Sequence, residues 1–267
     1  MASSFSSEFV KLKEEPLGIK KIILSRKEIK NAFNAQMILD LKKIFEMLSS
    51  EDLADTRLVI ICGDGDTFCA GADLSYMKEQ SAHGFSQNLA DAKILGGMFF
   101  ALANIPVPVI SAVKNAAIGG GFGLCCASDF VLCDDKAKFA TSEVRLGLIP
   151  GVISPYIVRK IGVSSASELM LSGKRISATE AFNMKLVNQV VAIENFDESL
   201  EQIMKDFLMA EPYAARKTKD LIKEIFPLPS DQLFDFTAQQ IAKVRAGPGA
   251  KKGLEHFFAK TKPDWCP

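Results

Sequence analysis

The chain has 267 residues, 48% of them apolar, and its Lys+Arg and Asp+Glu counts are both 32. That length builds a sizeable core without covalent staples, as one large domain or a domain with an appendage. A formal charge of zero gives no support to nucleic-acid binding, and the apolar stretches are much shorter than a membrane span. The six cysteines, at 62, 69, 125, 126, 133 and 266, contain no C-x-x-C pair, and His83 and His256 stand apart. Neither a zinc site nor a disulfide framework is expected, and free thiols suit a reducing compartment. The opening MASSFSSEFVKLKEEP has no apolar secretion core and carries acids but no Arg. It reads as neither a secretory nor a mitochondrial leader, so a cytoplasmic location is expected.

In chain order, 19–24 reads as a strand. Asn34 caps a helix over 36–48, whose apolar residues at 37, 38, 41, 44, 45 and 48 share one face. Residues 58–62 read as a buried strand closed by Gly63-Asp64-Gly65-Asp66. A helix is expected over 72–78, with Asp73 in its first turn, where a carboxylate suits the helix dipole. A further helix over 89–103 is stopped by Ile105-Pro106-Val107-Pro108. Residues 109–113 form a strand, a glycine triplet opens a helix through 129, and 130–133 form the next strand. Residues 139–151 read as loop-rich. Helical patterns over 166–171 and 178–184 precede a strand at 187–191. From 197 the text is nearly all helical, with a break at Phe226-Pro227-Leu228-Pro229. The alternation predicts an α/β domain over 1–196 followed by a helical region over 197–267.

Two segments carry a chemical signal. Phe68-Cys69-Ala70-Gly71-Ala72-Asp73-Leu74 and Ala117-Ile118-Gly119-Gly120-Gly121-Phe122-Gly123 each read as a strand end turning into a helix. Backbone N–H groups at such turns are free to point at an anion. Brought together, two turns hold one oxygen between two amides, which is an oxyanion hole. The triplet alone is equally explained by close helix–strand packing. It lacks the G-x-G-x-x-G order of a dinucleotide fold and the G-K-[ST] of a phosphate loop.

Further segments complete a pattern. They are Asn31-Ala32-Phe33-Asn34, Ala127-Ser128-Asp129 after the triplet, Glu143 within SEVRLGLIPG at 142–151, and a tail with Gly253-Leu254 and Phe257-Phe258-Ala259-Lys260. With these the chain resembles the enoyl-CoA hydratase/isomerase (crotonase) superfamily over nearly its whole length. The resemblance implies a crotonase spiral of ββα repeats with a C-terminal helical trimerisation region, assembled as a homotrimer or homohexamer. It implies oxyanion-hole amides at Ala72 and Gly120. It places an acyl-CoA substrate along Arg26, Ala32, Ala70, Ala72, Asp73, Leu74 and Gly120, with Lys260 reaching a neighbouring subunit's CoA. No separate cofactor or metal is implied, because CoA is part of the substrate, and no nucleic-acid or membrane partner.

Within that resemblance Glu143 is the acid–base group; outside it, a single Glu reads as a solvated loop acid. The α-proton of a CoA thioester becomes acidic only when the enolate oxygen is stabilised, and a positioned carboxylate must then move it. Gly120 is read as letting the backbone approach the thioester without a Cβ in the way. Cys69, Cys125 and Cys126 read as small buried apolar residues. Phe85, Met98, Phe99 and Phe100 read as core, with an acyl-pocket role as the alternative.

Hydratases of this family hold water between two glutamates, and the first falls at position 123, where this chain has Gly123. A lone acid suits a Δ3,Δ2-enoyl-CoA isomerase, which moves one proton from C2 to C4 without water. The stretch SEVRLGLIPGVISPYIVRKIG at 142–162, with 121–129, resembles instead the bacterial 3-methylglutaconyl-CoA hydratase branch. That branch implies hydration of a branched enoyl-CoA with a distal carboxylate, for which Arg145, Lys78 and His83 are candidate counter-charges. Dehalogenase-type relatives need an Asp near 151, where this chain has Gly151. The readings, in order, are an enoyl-CoA hydratase, an isomerase, and a non-catalytic CoA- or RNA-binding protein. A polyketide β-branching dehydratase is a close variant of the first.

Overall fold

The computed structural model describes residues 6–49, 55–226 and 230–263. The first half runs β1 (Val10–Glu15), β2 (Ile19–Leu24), α1 (Ala35–Ser49), β3 (Leu58–Gly63), α2 (Leu74–Ser81), α3 (Phe85–Asn104), β4 (Val109–Val113), β5 (Ala116–Ile118) and α4 (Gly120–Ala127). It continues with β6 (Phe130–Asp134), β7 (Lys138–Ala140), α5 (Ser154–Ser172), β8 (Arg175–Ser177), α6 (Ala178–Asn183) and β9 (Gln189–Val191). Four helices close the chain: α7 (Phe196–Leu208), α8 (Pro212–Ile225), α9 (Asp231–Arg245) and α10 (Pro248–Ala259).

A six-stranded sheet takes the order β1-β2-β3-β4-β6-β9, and a smaller sheet takes the order β5-β7-β8. In the larger sheet only the β1–β2 pair is antiparallel. Its centre is covered on both faces, as parallel strands require. Val59, Ile61, Val109 and Val113 face one cluster with α1, α3 and α4, while Leu58, Ile60, Ile110 and Ala112 face another with Phe196, Leu200 and Ile203 of α7. The alternation follows from the two-residue period of a strand.

The α/β reading and the helical end are both present in the fold. Asn34 does cap α1, its Oδ1 accepting from the Met37 N–H at 2.8 Å. Several local expectations change. Asp73 lies one residue before α2 as its N-cap, accepting from the Ser75 N–H at 2.8 Å. Helix α5 starts at Ser154, far ahead of 166, because Pro155 sits in its first turn, where no N–H is needed. The loop expected over 139–151 contains part of β7 and a 3-10 turn over Ser142–Leu146. Strand β1 was not legible, since most of its residues are charged and it forms a sheet edge with exposed Lys11, Lys13 and Glu14. The proline pair's centre at 227–229 and Cys266 lie outside the described residues. No described helix is long and apolar enough to cross a membrane.

Candidate active site

Three chain segments are pinned side by side at the end of the sheet. The Cys69 N–H donates to Ala116 O at 2.9 Å, and the Ile118 N–H donates to Cys69 O at 3.0 Å. Further along the same segment, the Phe33 N–H donates to Gly71 O at 2.7 Å and the Asp73 N–H to Phe33 O at 2.8 Å. Asn31 holds this corner from behind, its buried Nδ2 donating to Asp64 O and Thr67 O. The result sets Gly71 against Gly119: a Cβ built on Gly119 would lie 3.9 Å from Gly71 Cα.

Both glycines take positive φ, 102° at Gly71 and 51° at Gly119, a region that other residues enter only with strain. Each turns the chain so that the following amide is released from the ladder. Among the described residues, neither the Ala72 N–H nor the Gly120 N–H has a hydrogen-bond partner. Gly120 is also the first residue of α4, so the helix dipole adds to its donor strength. The expectation for Gly120's missing side chain is corrected: a Cβ there would lie 2.6 Å from the Phe33 ring. The space belongs to Phe33, which packs beneath the turn.

Glu143 enters from the 3-10 turn after β7. A Cβ on Gly119 would lie 3.4 Å from its Oε1. Its Oε2 is closed to solvent and has no hydrogen-bond partner. Burial pushes its carboxyl from the ordinary 4.5 up to about 7, and its own backbone N–H offsets this only in part. A carboxyl that titrates at neutral pH both takes and returns a proton readily.

Ala72, Gly120 and Glu143 share a cavity of about 680 Å³. Ala70 and Leu74 also line it. Arg26, Ala32, Asp73 and Lys260 do not. Arg26 is tied down behind the turn, its Nη2 2.8 Å from Asp73 Oδ2 and its Nη1 donating to Ala32 O at 2.7 Å. Lys260 is the exposed residue that ends α10. Of the three candidate counter-charges only Arg145 reaches the cavity, and its Nε donates to Ser172 O. Lys78 does not line it, and neither does His83, whose Nδ1 sits 3.2 Å from Asp91 Oδ2. Phe85, Met98, Phe99 and Phe100 lie off the cavity wall as well.

Position 123 is filled. A Cβ on Gly123 would meet Ile153 Cγ2 at 2.5 Å and the Phe99 ring at 2.9 Å. The carboxylate is missing, and so is the room for one. Glu143 is therefore the only acid among the described residues lining the cavity. Cys69 is not a nucleophile: it is fully buried and its thiol is pushed up to about 12. Sequence reasoning missed the helical lining of the cavity, to which Met77 and Gln80 of α2, Leu95 of α3, and Ile241 and Arg245 of α9 contribute.

Fold and site together define an α/β protein in which two unpartnered backbone amides share a cavity with one carboxyl. The profile of the enoyl-CoA hydratase/isomerase family matches residues 14–266. The chain belongs to that family. A crotonyl-CoA hydratase of Syntrophomonas wolfei is 30% identical over 256 residues, covering 95% of each chain. A carnitinyl-CoA dehydratase of Citrobacter koseri is 30% identical, covering 88% of this chain and 90% of its own. The crystal structure of an enoyl-CoA hydratase from Shewanella pealeana superposes with a TM-score of 0.77 at 31% identity, covering 96% of both chains.

Proposed function

We propose that the protein is an enoyl-CoA hydro-lyase that works with Glu143 as its single acid–base carboxyl. The observation that carries this is the Glu143 carboxyl, its Oε2 without a hydrogen-bond partner, beside two free amides. The substrate's thioester oxygen sits between the Ala72 and Gly120 N–H groups. Ionised Glu143 takes a proton from water as its oxygen adds to C3, and negative charge collects on the thioester oxygen. Glu143 then gives the proton to C2, which collapses the enolate; the reverse sequence expels water. Each backbone donor contributes about 3–4 kcal/mol in comparable holes. No separate cofactor is needed. The names of the hydratase and dehydratase relatives support water chemistry.

The finer reading is a branched substrate such as 3-methylglutaconyl-CoA, supported by the text at 142–162. The assembly proposed is a homotrimer or a dimer of trimers, with Lys260 turned to a neighbour's CoA. A second reading, double-bond isomerisation, is favoured by one observation: the filled space at Gly123 leaves water with one carboxylate anchor. Purified protein is given 3-methylglutaconyl-CoA, crotonyl-CoA and a 3-enoyl-CoA in ¹⁸O water, with products read by mass spectrometry. Label entering mainly the methylglutaconyl product is expected. Unlabelled conversion of the 3-enoyl-CoA, with methylglutaconyl-CoA inert, would establish the isomerase instead. Rapid hydration of crotonyl-CoA would overturn the branched substrate.

A further inference from the structure

Three arginines line the cavity, at 145, 175 and 245. Arg145 and Arg175 are exposed, so water satisfies them. Arg245 differs. It ends α9, one helical turn beyond Ile241, whose side chain packs against Gly151. Its Nη1 is closed to solvent and makes no hydrogen bond. Among the described residues no hydrogen bond or ion pair engages this side chain.

Its neighbours do not neutralise it. Tyr76 of α2 is held up at about 12 by burial, so the phenol stays uncharged at neutral pH. Asp91 of α3 attracts Arg245 from beyond ion-pair distance, and its Oδ2 is shared by Gln80 Nε2 at 3.3 Å and His83 Nδ1 at 3.2 Å. Burial works to lower the Arg245 pKa, yet a guanidinium does not lose its proton in proteins. A partly buried cation whose Nη1 is closed to solvent without a partner is costly, and Met77, Leu95 and Ile241 add apolar lining to the same cavity. A carboxylate resolves the mismatch, because it meets a guanidinium through two parallel hydrogen bonds.

We infer that Arg245 receives a carboxylate at the far end of the acyl chain, so that the cavity selects dicarboxylic monothioesters over neutral acyl groups. The inference rests on the acyl-CoA reading above. It gives the distal charge a residue other than Arg145, Lys78 or His83.

The test is calorimetric binding of two saturated thioesters that cannot be hydrated, glutaryl-CoA and butyryl-CoA. In the unaltered protein glutaryl-CoA is expected to bind roughly 10–100-fold more tightly, the range of a charged hydrogen-bonded pair. In Arg245→Met and Arg245→Gln that preference falls to about one while butyryl-CoA affinity stays within about threefold, as expected when only the charged pair is lost. Two variants guard against a folding defect in either, since retained butyryl-CoA binding certifies the fold. Equal binding of the two thioesters by the unaltered protein, or a preference that survives both substitutions, overturns the role of Arg245. If crotonyl-CoA is hydrated in that case, the acyl-CoA reading stands alone. Failure of both thioesters to bind removes both.

Discussion

Replacing Glu143 with glutamine separates burial from chemistry. In the unfolded chain the carboxyl titrates near 4.5; in the fold, burial raises it to about 7. Below pH 4.5 both states are protonated and the side chain contributes nothing to pH dependence. Between 4.5 and 7 the folded state holds more protons, so stability falls as pH rises. Above 7 the folded state carries the whole cost of the buried charge. The gap, at about 1.36 kcal/mol per pH unit, sets a ceiling of about 3 kcal/mol. Because Glu143 is open on the cavity side, screening trims this to about 1–3 kcal/mol. A glutamine at this position has no charge to bury, so Glu143→Gln melts higher than the parent at pH 8, by roughly 2–10 °C for a chain of this size. Near pH 4.5 the advantage vanishes. Turnover falls by about 10²–10⁴ in the same variant. Calorimetric melting of both proteins from pH 4.5 to 8.5 checks the first claim. An equal difference at both ends, or a parent more stable at pH 8, would refute the argument that Glu143 is an uncompensated buried acid.

Other outcomes follow from the same geometry. Gly120→Ala drives a methyl into the Phe33 ring and turns the amide away, so kcat falls about 100-fold while CoA binding is kept; steady-state kinetics and binding together decide it. Gly123→Ala overpacks the site between Phe99 and Ile153 and lowers stability by about 1–3 kcal/mol in urea unfolding. Arg26→Gln breaks a partly buried pair, with 16% and 14% of the two side chains exposed, and costs about 1–2 kcal/mol with kcat retained. A raised KM with unchanged melting would instead make Arg26 a direct CoA contact. Burial works to raise the Asp73 carboxyl, but the Ser75 N–H and Arg26 outweigh it and hold it low. Its contribution is therefore present above its ordinary pKa and fades as pH falls through the lower folded one, so the Arg26→Gln penalty shrinks in acid melts.

What could be read in advance was whatever depends on short-range pattern. The strands at 19–24, 58–62 and 109–113 announced themselves because central parallel strands are largely apolar. The two glycine turns were visible because positive φ at Gly71 and Gly119 leaves a residue-type signature. Which glycine does what was not visible. Gly119 turns the chain, Gly120 seats Phe33 and Gly121 clears Cys69, three reasons hidden in one triplet. Arg245 was silent for a different reason. A basic residue in the last turn of a helix has an ordinary explanation in the dipole, and only the tertiary fold shows that this one faces a cavity.

The filled space at Gly123 bears on how such a chain can change. The genetic code places glutamate next to glycine, so a second acid is always close at hand in mutation. Here the newcomer would strike Phe99 and Ile153 together. Both neighbours would have to shrink first, and each shrinkage alone leaves a void in the core. Any path to a two-acid site therefore descends through less stable intermediates, so the packing around Gly123 acts as a ratchet against a second carboxyl.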